Sequence, residues 1–207
     1  MGEYALQLGP LWFSDDSPFL RSEFPRPKGD LILYEFDSSP FCRKVRDAMT
    51  ILDLEVTCRP CPGAVSGFSD ELFALSGKRT VPFLVDEGAE KAMFESEDII
   101  DYLFNTYGPG ADAAPATIRG TPAVVSAGAA AIVRMMPAAK MQADARPDNG
   151  KMRPLVLYGY EASPFVRPVK EKLCALGLPH TVVNCARGSV KRALLTARTG
   201  TQFQVMV

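Results

Sequence analysis

The sequence is poor in histidine, the side chain that most readily carries proton transfer near neutral pH. It has one histidine, His180, and one tryptophan, Trp12. A lone histidine with no second at ligand or triad spacing gives little support to general-base or triad catalysis. Long apolar runs are also missing: Pro122 to Val133, the longest, has 12 residues, against the roughly 20 that a spanning helix needs. Neither sign of charge dominates. A net charge of −1 argues against a broad basic field for nucleic acid and against an acidic tail. The opening stretch, MGEYALQLGPLWFSDD, lacks the charged-then-apolar order of a secretory signal and is too acidic for an ordinary transit peptide. Leu6 stands where a myristoylation signal has Ser or Thr.

Cysteine is present but unorganised. Five cysteines form no regular framework, which points to a reducing compartment. Cys58-Arg59-Pro60-Cys61 is a formal C-x-x-C, but no second pair or histidine lies at finger spacing, so no zinc site is expected. A redox dithiol is the minor reading of that pair.

What the chain does contain is an internal repeat. At a shift of 124 residues, Leu31 to Pro62 lies on Leu155 to Ala186 without a gap, LILYEFDSSPFCRKVRDAMTILDL against LVLYGYEASPFVRPVKEKLCALGL. We read this as duplication. In each copy a β-rich run (Leu31 to Phe36) ends in a polar turn. Ser39 then precedes Pro40, an N-cap followed by proline at the first helical position, and Phe41, Val45, Ala48, Met49 and Leu52 follow at helical spacing. A strand at Glu55 to Arg59, a Pro/Gly loop to Gly67 and a short helix at Ser69 to Leu75 come next. Thr80 to Val85 and Lys91 to Phe94 read as a hairpin turning at Glu87-Gly88, and Ser96 as the cap of a helix over Glu97 to Thr106. The predicted order is β-α-β-α-β-β-α, an α/β crossover unit joined to a hairpin. A small-residue helix is expected over Ala123 to Met136, packed between modules. At the 124-residue offset Val205 meets Val81 and Met206 meets Pro82, so the second copy is expected to lack its hairpin and last helix. A second chain or protein partner is one way to complete it.

At SSPFCRKVR, TVPFLVD and MFESEDIIDYL the sequence resembles the N-terminal, thioredoxin-like domains of glutaredoxins and glutathione S-transferases. The tandem arrangement is similar to a plant and algal family of double transferase-N-terminal proteins. That resemblance implies glutathione as ligand or co-substrate. It implies a cis bond at Val81–Pro82, with the backbone of Val81 holding the cysteinyl part, and Glu95-Ser96 at a helix N-terminus taking the γ-glutamyl end. Ser39 occupies the first position of the glutaredoxin Cys-x-x-Cys and Cys42 the second. As in serine-type transferases, the Ser39 hydroxyl would donate to the glutathione sulfur; Ser163 is its counterpart. The dipole at the start of the helix would lower the pKa of Cys42 somewhat, yet without its partner thiol Cys42 is not expected to be a competent nucleophile. The stretch between the copies is too short for the all-helical domain that builds an electrophile pocket, which weakens the enzyme reading.

The expected organisation is an extended arm (1–27), a thioredoxin-like transferase N-terminal domain (28–107), an Ala/Gly/Pro-rich linker with one helix (108–152) and a partial second domain (153–207). The expected function is glutathione binding, with weak transferase or thiol-transfer activity through Ser39. The alternative is a non-catalytic scaffold for protein contacts. The resemblance implies a plastid; the cytoplasm follows instead if Met1 is the genuine start.

Overall fold

The structure, a computed structural model, describes residues 24–136, 138–146 and 153–200. Most of the expected arm and the segment 201–207 lie outside these residues.

Ser39 starts the first helix as the sequence predicts. Its Oγ accepts the Cys42 N–H at 3.3 Å and Pro40 takes the first helical position of α1, Pro40–Ile51. Strands β1 (Leu31–Glu35) and β2 (Val56–Pro60) flank α1 and pair in parallel. Helix α2 (Ser69–Ser76) leads to β3 (Phe83–Asp86), which runs antiparallel to β1 and turns into β4 (Lys91–Met93). Helix α3 (Ser96–Tyr107) closes a β-α-β-α-β-β-α unit. The predicted strand at Thr80 is shorter than expected, because pairing with β1 begins only at Phe83, after the proline.

Beyond it lies α4 (Gly120–Val133), three residues earlier at each end than the sequence reading. Then come β5 (Leu155–Gly159), α5 (Val166–Ala175), β6 (His180–Asn184) and α6 (Val190–Thr199). Ser163 Oγ accepts the Val166 N–H at 3.4 Å, but α5 starts only at Val166, behind Phe165, and has no side-chain cap.

The six strands of the described residues form one sheet in the order β4-β3-β1-β2-β6-β5. The join between halves is β2 against β6, antiparallel, with Val56 opposite Val182, Thr57 opposite Thr181 and Cys58 opposite His180. Thr57 and Thr181 stand at the 124-residue offset, so each strand meets its offset counterpart about a local two-fold axis, where the two threonine hydroxyls lie 3.1 Å apart. The same symmetry recurs in the loops. The Asp37 N–H donates to Cys174 Sγ at 3.4 Å, and the Glu161 N–H donates to its counterpart acceptor, Thr50 Oγ1, at 3.3 Å.

One face of the sheet packs against α1 and α3 through Leu31, Leu33, Val56, Cys58 and Leu84, meeting Val45, Met49, Ile99, Leu103 and Phe104. On the other face α2 covers Tyr34 and Phe83, and α6 covers Val183 and Cys185. Helix α1 is buried all round from Cys42 to Ile51, its charged residues included. Phe41, which helical spacing placed on the apolar face, is instead 47% exposed.

Candidate functional site

Register decides where the predicted site residues meet. In the β1–β3 pair Tyr34 faces Phe83, so Val81 and Pro82 lie just past the carboxyl end of β1, where the chain turns toward Ser39. In the β3–β4 pair Leu84 faces Met93, and continuing that register brings Pro82 beside Glu95. The rings of Phe83 and Phe94, one position further in, stand 4.4 Å apart between centroids. The start of α1, the Val81–Pro82 bond and the start of α3 thus share one end of the sheet. The Val81–Pro82 bond is cis.

The α3 start differs from the sequence reading. Ser96 is not the cap but the first helical residue, and it is 6% exposed. Glu95 is the cap residue, with φ 64° and ψ 115°; its carbonyl accepts the Ile99 N–H at 2.9 Å. Its side chain caps nothing and is exposed. A glutamate at positive φ costs on the order of 1–2 kcal/mol, and here that conformation leaves the carboxylate exposed beside a helix N-terminus.

Ser39 is placed differently. It is 4% exposed and Oγ already accepts the capping N–H. The cavity it lines has a volume of only about 20 Å³ and is shared with Arg43, Arg46, Glu161, Arg167 and the inner face of α4 at Ala127, Ala130 and Ala131. That holds one water. Ligand pockets are usually larger than about 300 Å³. Cys42 is fully buried and burial pushes its thiol up to about 12, which overturns the expectation of a dipole-lowered pKa: desolvation outweighs the helix start. All five cysteines are buried and free, and burial raises Cys61 likewise to about 12. Among the described residues no group of three His, Cys, Asp or Glu side chains could hold a metal ion.

Sequence reasoning missed the charged cluster at the local two-fold. Arg46 on α1 donates to Glu35, to Glu161 at 3.0 and 3.1 Å, and to the Asp37 carbonyl at 2.9 Å. Its counterpart Lys170 pairs with Glu161 and lies 3.6 Å from Asp37, the counterpart of Glu161. Burial alone would raise Glu161, but Arg46 and Lys170 more than reverse it and hold its carboxyl well below the usual range. The offset carries a signal for this cluster, since Arg46/Lys170 and Asp37/Glu161 both preserve charge sign. A separate clasp lies at the far ends of β1 and β2. There Lys191 on α6 donates to the Asp53 carbonyl at 2.9 Å and reaches the Asp53 and Glu55 carboxylates at 3.6 and 3.3 Å. These residues line a cavity of about 620 Å³ that shares no residue with the predicted site.

Comparison with known proteins finds likeness in one part of the chain. Residues 33–111 match the family model for the glutathione S-transferase N-terminal domain. That stretch, less than half of the chain, is similar to transferase-type N-terminal domains. Among solved structures, a Bombyx mori glutathione transferase in complex with GTT is 26% identical at a TM-score of 0.36, over 41% of this chain and 39% of that one. A second structure of a Bombyx mori glutathione transferase is 27% identical at a TM-score of 0.34, over 41% and 38%. The matched part spans about two-fifths of each transferase. No curated protein matches the chain. Among the described residues no helix is long and apolar enough to cross a membrane.

Proposed function

We propose that the first module binds glutathione at the sheet end formed by Val81, Pro82, Glu95 and Ser96, and that this is a binding site rather than a thiol-activating one. The observation that carries the reading is Glu95 at φ 64° beside the α3 N-terminus and across from the cis Val81–Pro82 bond. An exposed carboxylate next to a set of helix-start N–H groups suits a zwitterionic amino-acid end: the carboxylate meets the ammonium and the N–H groups meet the carboxyl. The edge backbone at Val81 suits an extended peptide. Ser39 contributes its helix cap. With a cavity of about 20 Å³ beside it, donation to a ligand sulfur requires α4 to move aside. We further infer that residues 153–200 are a second copy of the β-α-β-α half of this domain, docked on the first across β2 and β6.

Calorimetric titration of glutathione into the full chain tests this. Wild type should bind at millimolar ligand, and Ser96→Ala should bind about tenfold more weakly, the loss of one hydrogen bond to a charged group. No heat with wild type, or equal binding by both, places the site elsewhere.

A further inference from the structure

Val56 and Cys58 point into the core under α1, so Thr57 between them points to the opposite face of the sheet. On that face α2 covers Tyr34 and Phe83 and α6 covers Val183 and Cys185. Between the two helices Thr57 and Thr181 border two cavities, the one of about 620 Å³ beside the Lys191 clasp and another of about 240 Å³. The linings correspond at the 124-residue offset, Leu31 and Val56 in the larger matching Leu155 and His180 in the smaller. The cavities are thus the two ends of one trough across the local two-fold axis, with room for a ligand.

The charges do not follow the axis. Asp30, Asp53 and Glu55 line the larger cavity, and their counterparts are Pro154, Gly177 and Pro179. Arg153 lines the smaller one, where no acid does, and its counterpart is Gly29. One end of the trough is therefore acidic and the other basic. Both cations of the acidic end are engaged, Arg26 by the Leu52 carbonyl at 2.7 Å and Lys191 by the Asp53 carbonyl at 2.9 Å. Lys191 also stands between the Asp53 and Glu55 carboxylates, one cation for two acids, and Asp30 adds a third. Asp53 is only 4% exposed, yet its Oδ1 has no hydrogen-bond partner among the described residues. A buried carboxylate oxygen of this kind calls for a donor. Register sets the length of the trough. Thr57 faces Thr181 on antiparallel strands, so Glu55 and Pro179, each two residues before the axis, lie roughly 13 Å apart along the strands. That is about the length of four extended residues.

We propose that this trough binds a short peptide with free ends, about four residues long, its N-terminal ammonium among Asp30, Asp53 and Glu55 and its C-terminal carboxylate at Arg153. An ammonium brings three donors to the acids, and a guanidinium takes a carboxylate through two parallel hydrogen bonds. Leu31, Leu54 and Val56 at one end and Leu155 at the other give apolar walls for the peptide's side chains. The Thr57 and Thr181 hydroxyls stand at mid-length, where the peptide's central amides pass. Glutathione is poorly matched to this trough, because the carboxyl beside its ammonium would meet the three acids. The two sites are separate and neither depends on the other.

Calorimetric titration of the full chain with an alternating leucine–alanine tetrapeptide tests the proposal. The wild type should bind the peptide with free ends. Acetylating its N-terminus should weaken binding about tenfold, the loss of a charged hydrogen-bond donor, and amidating its C-terminus should weaken it several-fold. Glu55→Gln and Arg153→Gln should each weaken the free peptide several-fold, and Arg153→Gln should leave the amidated peptide unaffected. Both side chains are exposed, so these variants should melt as the wild type does. Saturating glutathione should leave the titration unchanged, whether or not glutathione binds at the other end of the sheet. No heat with the wild type, equal binding of the free and acetylated peptides, or an Arg153→Gln protein that weakens free and amidated peptides alike overturns the proposal. So does butylamine bound as tightly as the tetrapeptide, which assigns the acidic end to simple amines, and so does competition by glutathione.

Discussion

Helices α1 and α5 stand at the 124-residue offset, yet α1 is buried from Cys42 to Ile51 while α5 buries only Val166, Lys170, Leu173 and Cys174. The difference is what lies over them. Helix α1 has the sheet beneath it and α3 and α4 against its flanks, whereas no such pair covers α5 among the described residues. What the two helices share is the buried cation at the local two-fold, Arg46 in one and Lys170 in the other. Position relative to the join, more than the sequence of either helix, decides which charges must be paired.

The largest effect should come from that join. Arg46→Met strands Glu35, Asp37 and Glu161 inside the protein and should cost about 3–5 kcal/mol in denaturant unfolding. Lys170→Met should cost less, because Lys170 meets two of those acids and Arg46 reaches three. A reversed order would break the comparison.

His180 is next. Its counterpart is Val56, and burial lowers its pKa from 6.5 to about 4. Between those values the unfolded chain binds a proton that the folded one does not, so stability falls as pH drops from 6.5 to 4, by roughly 3 kcal/mol. His180→Val, the residue the first half uses, should flatten this part of the stability–pH curve. An unchanged slope would move the acid sensitivity to the carboxylates.

Smaller effects are expected at the helix starts and at the axis. Ser39→Ala removes a helix cap and should cost about 1 kcal/mol, with glutathione affinity unchanged, whereas Ser163→Ala, ahead of a helix without a side-chain cap, should cost less. A selective loss of binding with Ser39→Ala would return the hydroxyl to the ligand site. At the axis, a double-mutant cycle of Thr57→Val and Thr181→Val should give a coupling of about 0.5–1 kcal/mol.

Much of this was legible beforehand, for physical reasons. The β-α-β-α-β-β-α order was readable because each element carries local punctuation: Ser39-Pro40, the Pro/Gly loop, Glu87-Gly88. The α3 start was misread by one residue because serine is the usual cap, and nothing local predicts a glutamate at φ 64°. Burial of the polar side of α1 was not legible, since it comes from chain distant in sequence: Glu97 beside Lys44, Glu161 beside Arg46, and α4 along the flank. The offset does mark where the halves diverge. Gly177 adopts φ +66° at the end of α5, the residue type that this conformation favours. Its counterpart Asp53 takes φ 53° and forms the clasp with Lys191. Asp53→Gly should therefore loosen α6 more than the first module, seen as faster amide exchange in Val190–Thr199.

The most direct test maps glutathione onto the full chain by backbone amide chemical shifts. Perturbations should centre on Val81, Glu95, Ser96 and Glu97 at one end of the first module, with Ser163 and its neighbours unmoved. Equal shifts around Ser39 and Ser163, or shifts confined to the cavity lined by Asp53 and Lys191, would contradict the assignment of glutathione to that end of the sheet.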